Sequence, residues 1–456
     1  MQPEQDQGSF RDNRGFVFYH QGNVYRAVKN SFQAEWDELV GSDLFKKLRE
    51  KKRIPDFKGS SETFGYAPEI SSTVLVERIP FITWPSEWTF DQLQAAALLT
   101  LNVYKTALKH GYTLRDASGY NVQFNGSQPV FIDLFSFGKL NDGDPWEAYG
   151  QFCRHFLAPL ALMHYKVQGV SSLMQGHIDG LPLSLTSALL PARSKLSMAL
   201  YTHIHLHAKY ESKHASDTRV EKRKLKISKE RLKVVADHLY DTIAGLSVAD
   251  RATNWSDYYQ NNSYSSEGEV FKRAFCESVL SGHAGRLCVD LGANAGEYSK
   301  IAAKYFKQVV ACDMDHTVVT AIYRCKTENV LPLVIKLENP TPAFGWHNKE
   351  RTSFLQRIAV ADMTLALALV HHLCIGNNVP VKKLADFFAS ISNQLIIEFV
   401  PKSDVQVSRL LVTREDVFFD YTLENFKLEF EKWFNILREE QVPGSSRVLF
   451  FMQKKT

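Results

Sequence analysis

No stretch of this sequence approaches the roughly 18 consecutive apolar residues needed to cross a bilayer. Its opening, MQPEQDQGSFRDNRG, lacks the apolar core of a secretory signal. No CxxC pair occurs among the six cysteines Cys153, Cys276, Cys288, Cys312, Cys325 and Cys374. Several of them sit within apolar runs, which argues against a disulfide scaffold and predicts buried thiols in a reducing compartment. A charge excess is lacking too. A net +4 over 456 residues makes no case for nucleic-acid binding. These absences leave a cytoplasmic, globular chain, 45% hydrophobic and 23% charged. At about 150 residues per domain it holds two or three domains.

Three regions separate by pattern, without an internal repeat. Residues 15–82 mix strand-like runs (GFVFYHQGNVYRAVK, STVLVERIPFI) with one helical segment, SFQAEWDELVGSDLFKKLRE. Residues 90–208 are mostly helical, led by FDQLQAAALLTLNVYKTALKHG with apolar residues at helix spacing. At 112–138 a loop, a strand, a turn at Asn125-Gly126 and a second strand interrupt them. The basic stretch KYESKHASDTRVEKRKLKISKERLK then reads as a solvated helix or linker. The expected division is 1–208, a linker at 209–245, and 246–456.

From residue 246 the rhythm becomes strand then helix. RLCVDLG, QVVACDM, VLPLVIKL, MTLALALV and NQLIIEFV are the strand candidates, and FNILREEQVPGSSRVLFFMQ closes with a hairpin. Apolar strands alternating with helices predict an α/β fold, a mostly parallel sheet covered on both faces. The terminal hairpin would add an antiparallel strand.

Within "LCVDLGANAGEYSK" the first strand ends in Asp290 and meets Gly292, Asn294 and Gly296 before a helix. In such sheets ligands bind beyond the carboxyl ends of the strands, and glycine there lets a ligand lie against the main chain. The second strand ends at Asp313, where a carboxylate can accept from both hydroxyls of a ribose. The spacing DxGxxxG differs from the dinucleotide fingerprint, which favours a nucleoside cofactor without a pyrophosphate.

"VDLGANAGEYS" with "VVACDMD" resembles the first two motifs of class I S-adenosylmethionine-dependent methyltransferases, over roughly residues 250 to 456. The resemblance implies a Rossmann-like domain binding S-adenosyl-L-methionine. Asp290, Gly292, Asn294 and Gly296 would surround the methionine and ribose parts of the cofactor, and Asp313 would hold the ribose hydroxyls. Asp362, ahead of the fourth strand, is assigned to the same cofactor-binding set. Many relatives carry an acid after the third strand for the adenine amino group; here LVIKLEN offers Lys336, then Glu338. The segments "HFLAPLALMHY", "HIHLHAK", "NPTPAFGWHNKERTSF" and "DYTLENF" are similar to a bacterial group that includes nodulation host-specificity methyltransferases. That group names no acceptor, which stays open among small molecule, glycan and protein.

Methyl transfer requires alignment, exclusion of water and, for some acceptors, a base. Candidate catalytic residues at the sheet's carboxyl edge are His371, His372 and Glu398. A histidine titrates nearest neutrality, and of the two adjacent ones His371 is preferred. The alternative is that both histidines only pack or cap the strand. The loop FGWHNKERTSF is either a substrate or lid segment near the same edge, or a surface loop.

In the first half, "LRDASGYNVQFNGSQPVFIDLFSF" resembles the catalytic loop and metal-binding acid of protein-kinase-like enzymes. The resemblance implies an α+β kinase-like domain in which Asp116 accepts the hydroxyl proton while Asn121 and Asp133 hold magnesium. The strand lysine would be Lys29, with Arg26 nearer the strand centre on the opposite face. Glu35 and Glu38 lie on the following helix. No glycine-rich phosphate loop is present, and Leu134-Phe135 follows Asp133 in place of Phe-Gly. A degenerate domain that binds substrate or partner is the expected reading, with an ATP-dependent phosphotransferase as the alternative. His203, His205 and His207 fall in a helical segment that aligns only His203 with His207, so no metal site is expected.

Overall fold

The computed structural model describes residues 2–66, 68–214, 226–249, 266–412 and 414–455, with backbone alone at 211–214. The chain divides into two compact units, Met1–Ala249 with Phe344–Arg351, and Asp250–Ala343 with Thr352–Thr456.

The first unit opens on a five-stranded sheet in the order β1-β2-β3-β5-β4, with every neighbouring pair antiparallel. The strands are β1 (Glu4–Gln5), β2 (Gly15–His20), β3 (Asn23–Lys29), β4 (Phe57–Ser60) and β5 (Ile70–Val76). Gln21 and Gly22, both at positive φ, make the tight turn that suits the twist of β2 and β3. Phe18, Ala27 and Ile70 bury one face against Phe16, Tyr25 and Phe64.

The single helical segment expected after β3 is two helices, α1 (Gln33–Gly41) and α2 (Asp43–Glu50). The break falls at Ser42, whose hydroxyl caps α2 by accepting from the Phe45 amide. Next comes α3 (Phe90–Lys109), opened by a capping box between Thr89 and Gln92. The strands β6 (Tyr112–Leu114) and β9 (Phe137–Lys139) pair around a hairpin of β7 (Val122–Asn125) and β8 (Gln128–Phe131). The hairpin turns at Gly126-Ser127, one position beyond the expected Asn125-Gly126: Asn125 still pairs with Gln128, and Gly126 takes the positive φ of 57°.

Part of the expected linker belongs to this unit. The helix Lys229–Gly245 buries Leu232, Ala236, Leu239 and Ile243 along one stripe. Gln94 of α3 donates to the carbonyls of Ile243 and Leu246, each at 2.8 Å. Residues 215–225 of the basic stretch lie outside the described residues.

The second unit is a seven-stranded sheet in the order β12-β11-β10-β13-β14-β16-β15. Its strands are β10 (Gly285–Leu291), β11 (Phe306–Asp313), β12 (Val330–Val334), β13 (Met363–Ala366), β14 (Gln394–Phe399), β15 (Phe434–Gln441) and β16 (Val448–Lys454). The first five pair in parallel, and β16 enters antiparallel between β14 and β15. Cys288, Val309, Ala311, Met363, Leu365 and Ile396 are buried in one core cluster beside helix residues Phe275, Val279 and Ile301. This is an α/β, Rossmann-like sheet with an antiparallel terminal strand. The strand order reverses between β10 and β13, and in open sheets of this kind ligands bind beyond the carboxyl ends of the strands at such a reversal.

Candidate functional site

At that edge β10 delivers the glycine turn. Gly292, Asn294 and Gly296 all take positive φ, at 77°, 47° and 77°. The turn folds back on β11: the amides of Gly292 and Ala293 donate to the Cys312 carbonyl at 2.8 and 2.9 Å. The Asn294 amide donates to Asp313 Oδ2 at 3.0 Å, and Asp315 N donates to its Oδ1 at 3.0 Å. Each carboxylate oxygen has further lone pairs, so two backbone donors orient Asp313 without using up its acceptors. Burial raises its pKa against these amide bonds.

A side chain at either glycine would crowd the turn. A Cβ at Gly296 would come within 3.0 Å of Ile322, and one at Gly292 within 3.4 Å of Leu369, besides the strain of left-handed backbone. Gly296 also caps the helix Glu297–Ala302. Asp290, buried, accepts from Ser299 Oγ of that helix at 2.6 Å. Burial pushes the Asp290 carboxyl up to about 6, with the Ser299 bond opposing and Asp313 adding to the shift. Asp290, the three turn residues and Asp313 thus meet at one edge, with donors and acceptors of the kind that a nucleoside requires.

Asp362 does not join them. Its Oδ2 accepts from the amides of Arg286 and Leu287, at 2.7 and 2.9 Å. Those residues open β10 and Asp362 precedes β13, so this carboxylate ties the amino edge of the sheet, opposite the glycine turn. Lys336 and Glu338, after β12, pair with each other at 3.1 Å.

The fourth strand is shorter than its apolar run. It stops at Ala366 because Ala368 turns left-handed at φ 52°, and His371 and His372 follow on the next turn. Their rings lie 4.0 Å apart, centre to centre. His371 is fully buried, and neither ring nitrogen has a hydrogen-bond partner among the described residues. Burial drives its pKa well below the usual imidazole value, with His372, Arg447 and Lys272 adding to the shift. Burial and then Arg447 bring His372 down to about 4.

The unfolded chain binds a proton at each of these histidines near pH 6.5 while the folded chain resists, so their contribution is complete above that pH and is lost as pH falls toward 4. For His372 the loss between pH 7.5 and 5 is about 2 kcal/mol. Denaturant unfolding at pH 7.5 and pH 5 is expected to show a smaller difference for His372→Phe than for wild type. Equal differences would place the depressed titration elsewhere.

Glu398, proposed from sequence as a base, is held in a buried ion network. Its Oε2 accepts from Lys272 Nζ at 2.7 Å and from the Ala368 amide at 2.8 Å. Arg447 Nη1 lies 3.7 Å from its Oε1 and bonds Asp404 through two nitrogens, at 2.7 and 3.1 Å. A carboxylate so engaged is unsuited to accepting a proton from substrate. Lys272, Arg447, Asp404 and Ser299 escaped the sequence reading. Lys272 left one signal, a lysine in helical register with Phe275, Cys276 and Val279.

Asp116, Asn121 and Asp133 of the first unit also converge. Asn121 Nδ2 donates to Asp116 Oδ1 at 2.8 Å, and its contact with Ser136 Oγ at 3.4 Å leads on to Asp133, which accepts from that hydroxyl. Arg26, not Lys29, supplies the strand cation, 2.5 Å from Asp133 Oδ1 with its guanidinium over the Phe135 ring. Burial works to raise the Asp133 pKa, but Arg26, Ser136 and the Phe135 amide together hold it low. Burial, then Asp133, raises that of Asp116. An acid already engaged by a guanidinium, a hydroxyl and an amide is poorly suited to a magnesium ion. Glu35 and Glu38 pair with Arg115 and Lys139, at 3.1 and 2.8 Å.

Residues 344–351, read from sequence as a loop near the sheet's carboxyl edge, are part of the first unit. Glu350 binds Arg11 through both oxygens, at 2.7 and 2.9 Å, and the Arg351 guanidinium lies over Tyr120, 4.7 Å from its ring centre. His203 lies in a π-helical turn, bonded to Tyr149 Oη at 2.6 Å and His238 at 2.9 Å, and His205 bonds Ser187 and Ser194. Among the described residues no group of three or more His, Cys, Asp or Glu side chains could hold a metal ion, and no helix is long and apolar enough to cross a membrane.

No protein-family model matches the chain. Among solved structures, that of the N-methyltransferase NodS from Bradyrhizobium japonicum WM9, in complex with S-adenosyl-l-homocysteine, is 11% identical. The match covers 45% of this chain and all of NodS, with a TM-score of 0.31. The bifunctional kinase-methyltransferase WbdD is 13% identical over 47% of this chain and 45% of its own, with a TM-score of 0.29. Over nearly the whole length the likeness is much stronger: the nodulation protein NoeA of Rhizobium meliloti is 34% identical, across 98% of this chain and 95% of its own. At that identity and extent, the chain belongs to the NoeA family of nodulation proteins.

Proposed function

We propose that the second unit is an S-adenosylmethionine-dependent methyltransferase, and that the first is a kinase-like domain without working phosphotransfer that binds the methyl acceptor or a partner. One observation carries the reading. The left-handed turn through Gly292, Asn294 and Gly296 is tied by the Asn294 amide to Asp313, at the sheet edge where the strand order reverses.

When bound, the cofactor would supply a methyl group on a sulfonium whose leaving group is already activated. The chain's own residues then have three tasks. The bare turn admits the nucleoside against the main chain, and Asp313 accepts from the ribose hydroxyls. Apolar neighbours such as Leu369 exclude water beside Gly292. His371, held neutral by burial and with no partner for either ring nitrogen among the described residues, is placed to accept a hydrogen bond from the acceptor. The acceptor is a small molecule, glycan or protein, with nucleic acid disfavoured by charge. All six cysteines are free thiols, which suits the cytoplasm.

Isothermal calorimetry of the full chain with S-adenosylmethionine and S-adenosylhomocysteine is expected to give saturable binding well below millimolar ligand. Absence of heat from both at millimolar concentration would sink the reading. The phosphotransferase alternative is disfavoured by the guanidinium on Asp133.

A further inference from the structure

We propose that Lys272 and Glu398 are a positioning pair that fixes the glycine-turn helix and the His371 loop against one another. The proposal rests on the methyltransferase reading and deepens it.

Lys272 is 4% exposed on the helix Ser266–Gly282, among Phe275, Cys276, Val279 and Leu280. Its ammonium touches two elements at once. It donates to Glu398 Oε2 at 2.7 Å and lies 5.1 Å from the ring centre of Tyr298. Tyr298 stands two residues after Gly296, on the helix that the glycine turn begins. The Glu398 oxygen that receives the ammonium also receives the Ala368 amide. Ala368 holds a left-handed conformation that an alanine adopts at a cost of about 1–2 kcal/mol, and such strain persists only where the surroundings fix it. His371 follows three residues later, while Leu369 packs over Gly292.

One cation therefore reaches the turn's helix on one side and, through one oxygen, the loop of the buried imidazole on the other. Stability alone does not call for charges here, because apolar residues of similar volume commonly replace a buried ion pair at no loss. An apolar pair could not hold the Ala368 amide in place. Methyl transfer is sensitive to displacements of an ångström or less between the reacting groups, so a device that sets this spacing has a use in the reaction.

The test uses the full chain with labelled histidine, the His371 ring signals being assigned by their loss in His371→Gln. S-adenosylhomocysteine is the probe. In wild type, saturating probe shifts the His371 signals. In Lys272→Met the probe's Kd stays within about threefold of wild type, while the His371 response is largely lost. Should Lys272→Met fail to fold, the double variant Lys272→Met with Glu398→Leu leaves no buried carboxylate behind and removes the acceptor of the Ala368 amide, and the same loss is expected. A folded Lys272→Met, or in its place the double variant, with normal probe binding and an unaltered His371 response overturns the pair's role. No probe binding by wild type instead overturns the methyltransferase reading on which the pair depends.

Discussion

Glu398→Ala lowers the melting temperature of the second unit by about 6–20 °C. The substitution removes the carboxylate that faces two cations whose side chains are 5% and 0% exposed, Lys272 and Arg447. Arg447 keeps its two bonds to Asp404, so the loss falls on the buried Lys272 ammonium, deprived of its 2.7 Å carboxylate contact, and on the Ala368 amide. Breaking a buried pair from one side costs about 3–5 kcal/mol. In a unit of this size each kcal/mol moves the midpoint by about 2–4 °C. The double variant Lys272→Met with Glu398→Leu should be less destabilised than Glu398→Ala alone, because it strands no charge. Differential scanning calorimetry of the three proteins decides it. A single variant that melts within about 2 °C of wild type would mean that the carboxylate and ammonium are not paired in solution.

Asp313→Ala weakens binding of S-adenosylmethionine and its demethylated product by at least about tenfold, equivalent to about 1.4 kcal/mol or more. Hydrogen bonds to an ionised carboxylate are worth about 1.5–3 kcal/mol each, so losing both ribose contacts predicts a larger drop. The same change also releases the Asn294 and Asp315 amides. A loosened turn would show as a fall in ligand-free stability, which a thermal melt measures separately. Tight binding by an otherwise normal Asp313→Ala protein would remove the carboxylate from the proposed site.

Much of the second unit was legible because its signals are local. Five apolar runs separated by helix-length segments dictate parallel strands, and positive φ at Gly292 and Gly296 is a property of a short turn. The spacing from Asp290 to Asp313 reflects one helix and one strand, so both acids could be placed at the same edge. What stayed hidden depends on distant partners. Asp362 reads from sequence as an acid beside a strand, and only its bonds to Arg286 and Leu287, some 75 positions away, show which edge it serves. Glu398 reads as an available base until Lys272, 126 positions earlier, is found on it. The run MTLALALV carries no mark of the left-handed Ala368 that shortens the strand. In the first unit the spacing of Asp116, Asn121 and Asp133 was visible, but β-strand alternation alone left open which of Lys29 and Arg26 meets the acid.

The place of β16 between β14 and β15 has a consequence for biosynthesis. A chain emerging from the ribosome makes β15 before the strand that joins it to the sheet, so that ribbon waits while the residues through Lys454 are still inside the tunnel. Until then β14 offers an open, hydrophobic flank to whatever is nearby, a nascent-chain chaperone or another unfinished copy. A stop codon just ahead of Val448 would make that exposure permanent, and quality-control proteases would be expected to clear such a product.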